Sequence, residues 1–149
     1  MKIKRKPLVF HNVISTAAAC RENEWHQVAQ ELRNAVLQNG LYGTGPVLYQ
    51  IGNINPLSGE AEYSFHIPVN SPVSMPPNNK YRFTELLHIP DGLVYRHADL
   101  EEELDPSYEL LRQSAGMNGL TLQEPYYHIY LDVYGSGLID IYAPIAGEA

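Results

Sequence analysis

Two segments of this chain, NGLYGTGP at residues 39–46 and NGLTLQEP at residues 118–125, each spell Asn-Gly-Leu, four other residues and Pro. What precedes them restricts the fold. Before the first copy, ENEWHQVAQELRNAVLQ places Trp25, Val28, Leu32 and Val36 at helical intervals with polar residues between. Before the second, Asp105-Pro106 supplies an N-cap and a proline at the first helical position, and Tyr108, Leu111 and Ala115 follow along one side. Asn-Gly then falls where a helix end wants a left-handed residue. Both copies are therefore read as helix ends.

Extended sequence follows each copy. In the first half it is VLYQI, a loop from Asn53 to Gly59, and AEYSFHIPV; in the second it is YYHIYLDVY, Gly135-Ser136-Gly137 and LIDIYAPI. Each half closes on a proline at an apolar strand end, Pro68 and Pro144. Further strands precede the helices: PLVFHNVIS in the first half, RFTELLHIP and DGLVYRHAD in the second. Residues 70–79, NSPVSMPPNN, have three prolines and no periodicity, which reads as a linker. The expectation is one α+β domain built from two pseudo-symmetric βαββ modules, about 7–70 and about 80–146, with antiparallel sheets carrying the helices on one face.

Alternation along the last hairpin divides its residues. Tyr127, Ile129, Leu131 and Val133 lie on one side of the first strand, and Tyr126, His128, Tyr130, Asp132 and Tyr134 on the other. A three-residue loop at Gly135-Ser136-Gly137 pairs Asp132 with Asp140 and Tyr130 with Tyr142, and the aliphatic sets coincide. That register predicts one aliphatic face for the helices and one face of tyrosines, a histidine and two carboxylates. Eleven tyrosines against three phenylalanines and one tryptophan suit a surface for flat or cationic ligands, or a solvated sheet face.

Composition excludes several classes. At 149 residues, 44% hydrophobic and 18% charged, the chain suits one folded domain. Net charge is −7, with four of the ten basic residues in the first six positions, so no basic face for nucleic acid can be assembled. No apolar run approaches the ~20 residues of a membrane span, and MKIKRKPLVF makes a poor signal peptide. The single Cys20 allows no internal disulfide, so the cytoplasm is the expected compartment. The six histidines show no metal-ligand spacing, no glycine-rich loop opens a helix, and neither metal nor cofactor is expected.

The run from Ile89 to Ile145 resembles the C-terminal half of a GyrI-like small-molecule-binding domain, through Arg96-His97, Tyr108, Asn118-Gly119, Pro125, Tyr130 and Asp140-Ile141-Tyr142-Ala143-Pro144. The first half is similar more loosely, through NGLYGTGPVLYQI and FHIPV. The resemblance implies a ligand cleft between two modules, with tyrosines around a buried acidic residue of the last strand that meets cationic aromatic ligands. Here that place belongs to Asp140, one methylene shorter than the usual Glu. Regulator members carry a separate helix-turn-helix, for which no stretch of this chain is left, so direct DNA binding is not expected.

The candidate ligand-binding set is Asp140, Tyr142, Tyr130, His128, Tyr126, Asp132 and Glu62, the last sharing a strand face with Ser64 and His66. No residue is assigned a catalytic role. Asp140 fits a ligand anchor or an exposed strand carboxylate; Asp132 opposite it fits a shared proton or simple solvation. His97 fits a bond to the turn before the second helix. The leading reading is a stand-alone binder of a hydrophobic, cationic or aromatic small molecule. A protein-interaction or inhibitor role with a vestigial pocket is the second, with a homodimer or a protein partner open. A hydrolase using Asp140 or Glu62 beside a tyrosine is the third.

Overall fold

The computed structural model describes residues 3–97, 103–133 and 136–148, with the backbone alone at 132, 133, 136, 147 and 148. Part of the acidic run (Asp99 to Glu102), the hairpin tip at Tyr134-Gly135 and the Asp132 side chain lie outside the described residues. In chain order the elements are β1 (Ile3–Arg5), β2 (Leu8–Arg21), α1 (Trp25–Gln38), β3 (Leu48–Ile54), β4 (Glu60–Pro68), β5 (Tyr81–Ile89), β6 (Gly92–His97), α2 (Asp105–Met117), β7 (Leu120–Leu122), β8 (Tyr127–Val133) and β9 (Ser136–Glu148). The α+β class expected from the sequence is the one observed. The chain divides into two compact units: Val9–Leu87, and His88–Ala149 joined by Met1–Leu8.

In the Val9–Leu87 unit the strands run β3-β4-β2-β5. β4 is antiparallel to both β2 and β3. Alternation along β4 buries Ala61, Tyr63, Phe65 and Ile67 and turns Glu62, Ser64 and His66 the other way. α1 supplies the matching apolar stripe, Trp25, Ala29, Leu32 and Val36. Trp25 stacks near Tyr49, with ring centroids 4.5 Å apart, and is core. Burying each such large side chain stabilises by roughly 1.5–3 kcal/mol.

In the other unit the strands run β1-β6-β9-β8, with β7 on the end of β9. α2 buries Ser107, Leu111 and Ala115. Asp105 is its first residue rather than its cap: Leu104 holds the cap position and no side chain bonds the end. Asp105 still places a carboxylate in the first turn, where the helix dipole favours it.

The repeated Asn-Gly-Leu has one structural job in both units. Asn39 Nδ2 donates to the Ala35 carbonyl at 2.7 Å, and Asn118 Nδ2 to the Ser114 carbonyl at 2.8 Å. Gly40 (φ +77°) and Gly119 (φ +66°) then take the left-handed turn that a side chain would strain. Five residues after each Asn, the chain meets the unit's closing proline. Thr44 N–H donates to the Pro68 carbonyl at 2.9 Å, and Gln123 N–H to the Pro144 carbonyl at 2.8 Å. The motif stops a helix and ties its exit to the last strand.

Two features depart from the sequence reading. β1 and β5 each lie beside the first strand of the other βαββ stretch: β1 pairs with β6, and β5 neighbours β2. The final hairpin also takes another register, with Ile129 opposite Asp140, Tyr127 opposite Tyr142, Tyr130 opposite Ile139 and Asp132 opposite Gly137. Tyr130 therefore does not face Tyr142, nor Asp132 Asp140. Relative to the expected register the strand moves by an odd number of residues, which exchanges its faces.

Candidate functional site

The register of β8 and β9 sorts the candidate residues into two groups. One face of the β6-β9-β8 sheet carries His97 on β6, Ile139, Ile141 and Ala143 on β9, and His128 and Tyr130 on β8; Tyr126 immediately precedes β8. α2 sits on this face. Tyr108 of α2 bonds His128 Nε2 through its hydroxyl at 2.6 Å, and its ring meets Tyr126 edge-on with centroids 5.8 Å apart. Ser107 Oγ bonds His97 Nδ1 at 2.9 Å, so His97 serves the first turn of the helix itself. Tyr126 and His128 are buried and Tyr130 half-buried. Burial raises the Tyr126 phenol, helped by Glu124.

The two histidines sit beneath a helix because each finds a hydrogen-bonding partner, the condition for burying imidazole. The aliphatic matching used to set the register from sequence assumed that the helix side would be purely apolar.

The opposite face holds Tyr127, Ile129 and Leu131 of β8, Leu138, Asp140 and Tyr142 of β9, and Val94 and Arg96 of β6. Asp140 lies directly across from Arg96 and accepts two bonds from it, Nε to Oδ1 at 2.8 Å and Nη2 to Oδ2 at 3.1 Å. The Asp140 carboxylate raises the Arg96 guanidinium above its ordinary value through these bonds and its charge. Asp140 is thus matched within its own sheet, whereas the sequence reading left it as a ligand anchor or an exposed strand carboxylate.

Tyr142 is fully buried, and its ring lies over the bare backbone of Gly92. Its hydroxyl donates to the Lys6 carbonyl at 2.7 Å, tying the N-terminal segment to β9. Burial, with the negative charge of Asp91, pushes this phenol up to about 12.

In the Val9–Leu87 unit, Glu62, Ser64 and His66 share the face of β4 turned away from Tyr63 and Phe65. Ser15 and Ala17 and Ala19 of β2 lie opposite His66, Ser64 and Glu62, and Gln50 of β3 lies opposite Ser64. His66 is held at both nitrogens: Nε2–H donates to Gln50 Oε1 at 3.0 Å, and Nδ1 takes the Ser15 hydroxyl at 2.7 Å. Burial lowers His66 to about 4, so it is neutral at pH 7.

Glu62 differs from Asp140. It is exposed, and its carboxylate has no ion pair or hydrogen bond among the described residues. Around it the surface is cleared of bulk. Ala17 and Ala19 are exposed, and Gly52 lies so close that an added Cβ would come 3.2 Å from the Glu62 carbonyl oxygen. The sequence reading included Glu62 but overlooked the small residues around it. Their signal is present in STAAACR, where Ser15, Ala17 and Ala19 alternate onto one strand face. No group of three or more histidine, cysteine, aspartate or glutamate side chains among the described residues could hold a metal. No helix among them is long and apolar enough to cross a membrane.

A family model described as a domain of unknown function, DUF5085, matches residues 9–147. The chain belongs to this family. No curated protein matches the DUF5085 chain in sequence. Among solved structures, it is similar to EcmrR in a DNA complex (TM-score 0.77, 15% identity), covering 97% of this chain and 57% of that one. The chain therefore spans little more than half of EcmrR. The EcmrR C-terminal domain alone matches end to end, 100% of each chain, at 15% identity and TM-score 0.69. SAV2435 bound to tetraphenylphosphonium matches at 14% identity and TM-score 0.55, over 99% of this chain and 95% of that one. A hydrolase from Listeria innocua matches at 10% identity and TM-score 0.68, over 97% and 92%. At these identities the likeness concerns the fold, and this DUF5085 member has the α+β fold of GyrI-like domains.

Proposed function

We propose that this chain binds a small hydrophobic aromatic cation on the sheet face of β2, β3 and β4, with Glu62 as the charged anchor. The observation that carries the reading is an unmatched carboxylate with small residues beside it on the strand face. Ala17, Ala19 and Gly52 leave room for an aromatic plane to rest against strand backbone, and Glu62 stands at the edge of that space. Ser15, Gln50 and His66 add a polar border whose imidazole is neutral and so does not repel a cation.

Tetraphenylphosphonium in SAV2435, a protein of similar fold, supports the same ligand class. Asp140 is the less suitable anchor, since a ligand cation would have to compete with Arg96 in a bidentate pair. The same strand order in the two βαββ stretches, β3-β4-β2 and β8-β9-β6, supports reading the chain as a repeated module of which one copy keeps the open carboxylate.

A thermal-shift comparison tests the ligand class. Tetraphenylphosphonium should raise the melting temperature clearly more than neutral triphenylphosphine oxide at the same concentration. At 100 times its dissociation constant the cation adds about 2.7 kcal/mol of stability. Equal shifts with the neutral compound would remove the charge from the account.

A further inference from the structure

A cavity of about 450 Å³ lies wholly within the Val9–Leu87 unit, away from the face that carries Glu62. One wall is the C-terminal half of α1, where Leu32, Ala35 and Val36 face it. The other is the proline-rich segment after β4. Sequence alone reads that segment as a linker; in the structure it runs beside the C-terminal half of the helix and bounds a pocket that is partly open to solvent.

The segment is pinned at both ends. At the start, Asn70 Oδ1 accepts the Tyr42 N–H at 2.9 Å and Asn70 N–H donates back to the Tyr42 carbonyl at 3.2 Å. At the far end, Asn78 Oδ1 accepts both the Lys80 and Tyr81 N–H groups, at 2.9 and 2.7 Å. Between the pins, Pro72, Pro76 and Pro77 lack N–H groups and fix their own φ, so the strap cannot join a sheet or coil down as helix. It alternates instead, with Val73 and Met75 half-buried and Ser74 exposed.

A stiff, end-tied strap cannot collapse onto the helix, so the space between them is left unfilled by side chains. Its size lies in the range of small-molecule sites, and its lining is mainly apolar with a few polar groups. None of the lining residues is charged. One N–H of each amide at its edge is engaged, Asn39 Nδ2 with the Ala35 carbonyl and Asn78 Nδ2 with the Pro76 carbonyl. The lining offers a charged ligand no opposite charge to replace the hydration it would lose there.

We propose that this strap-covered cavity is a second binding site, independent of the Glu62 face, and that it takes an uncharged apolar small molecule. The probe is N-phenyl-1-naphthylamine, neutral at pH 7.5 and bright only in apolar surroundings, titrated into the full chain. Saturable enhancement is expected, with no displacement by excess tetraphenylphosphonium. Ala35→Trp, which fills the cavity from the helix side, and Met75→Lys, which sets a charge on the strap, should each weaken the probe at least tenfold. Circular dichroism verifies folding, and should Ala35→Trp fail to fold, Met75→Lys decides. Absence of saturable enhancement, displacement by the cation, or unchanged affinity in a folded variant would each overturn the proposal.

Discussion

Substituting Gly92 by alanine adds one methyl group, and the structure says it should be costly. Gly92 opens β6 opposite Pro144, and the fully buried Tyr142 ring lies on its backbone. A Cβ at residue 92 would overlap the ring and hydroxyl of Tyr142. The backbone itself has no objection, since Gly92 is not among the positive-φ glycines. The whole cost therefore comes from moving Tyr142. Overpacking a filled core costs about 1–3 kcal/mol. If the ring shifts, the bond from its hydroxyl to the Lys6 carbonyl goes too, about 1 kcal/mol more. The expected loss is about 2–4 kcal/mol, read by urea denaturation followed by circular dichroism. Pairing Gly92→Ala with Tyr142→Val removes the colliding ring, so the double variant should lose less than the sum of the singles by at least about 1 kcal/mol. Gly92→Ala within about 0.5 kcal/mol of the parent, or strict additivity, would refute the reasoning.

His66 should make stability fall on mild acidification. Its folded pKa, about 4, lies below the ordinary 6.5, so the unfolded chain binds the proton first. The stabilisation is full well above pH 6.5 and is lost as pH drops toward 4, about 1.6 kcal/mol of it between pH 6.5 and 5. Urea melts at pH 7.5, 6 and 5 should show that slope, and His66→Gln should flatten it. Asp140→Asn should change stability by under about 1 kcal/mol, because its partner Arg96 is 58% exposed. It should also leave cation affinity within about twofold of the parent in a calorimetric titration, an outcome opposite to that expected for a ligand anchor.

What the sequence revealed follows the range of the interactions. The ends of both helices could be read because Asn39-Gly40 and Asn118-Gly119 act within a few residues of themselves. The polar face of β4 was visible because one strand's alternation determines it. Partner choice was not: β1 leaves its neighbour β2 for β6, and nothing local in Ile3–Arg5 encodes that. The hairpin register failed for a related reason. Tyr126, His128 and Tyr130 look like a solvent or ligand face until Ser107 and Tyr108 arrive from α2 with hydroxyls placed for the two buried histidines. Polar residues in a strand report burial only once their partners are known. Asp140 was singled out as a costly acid, and its partner Arg96 became evident only when β6 was laid beside β9.

Glu62, rather than Asp140, is the charged ligand contact we propose for this chain. The direct test is isothermal calorimetry of tetraphenylphosphonium against the parent, Glu62→Gln and Asp140→Asn at one ionic strength. A cation about 6 Å from a carboxylate at an effective dielectric constant of about 40 gains about 1.4 kcal/mol, a factor of about ten in affinity. Binding should be about tenfold weaker in Glu62→Gln and near parental in Asp140→Asn. Parental affinity in Glu62→Gln, with the loss falling on Asp140→Asn, would contradict it.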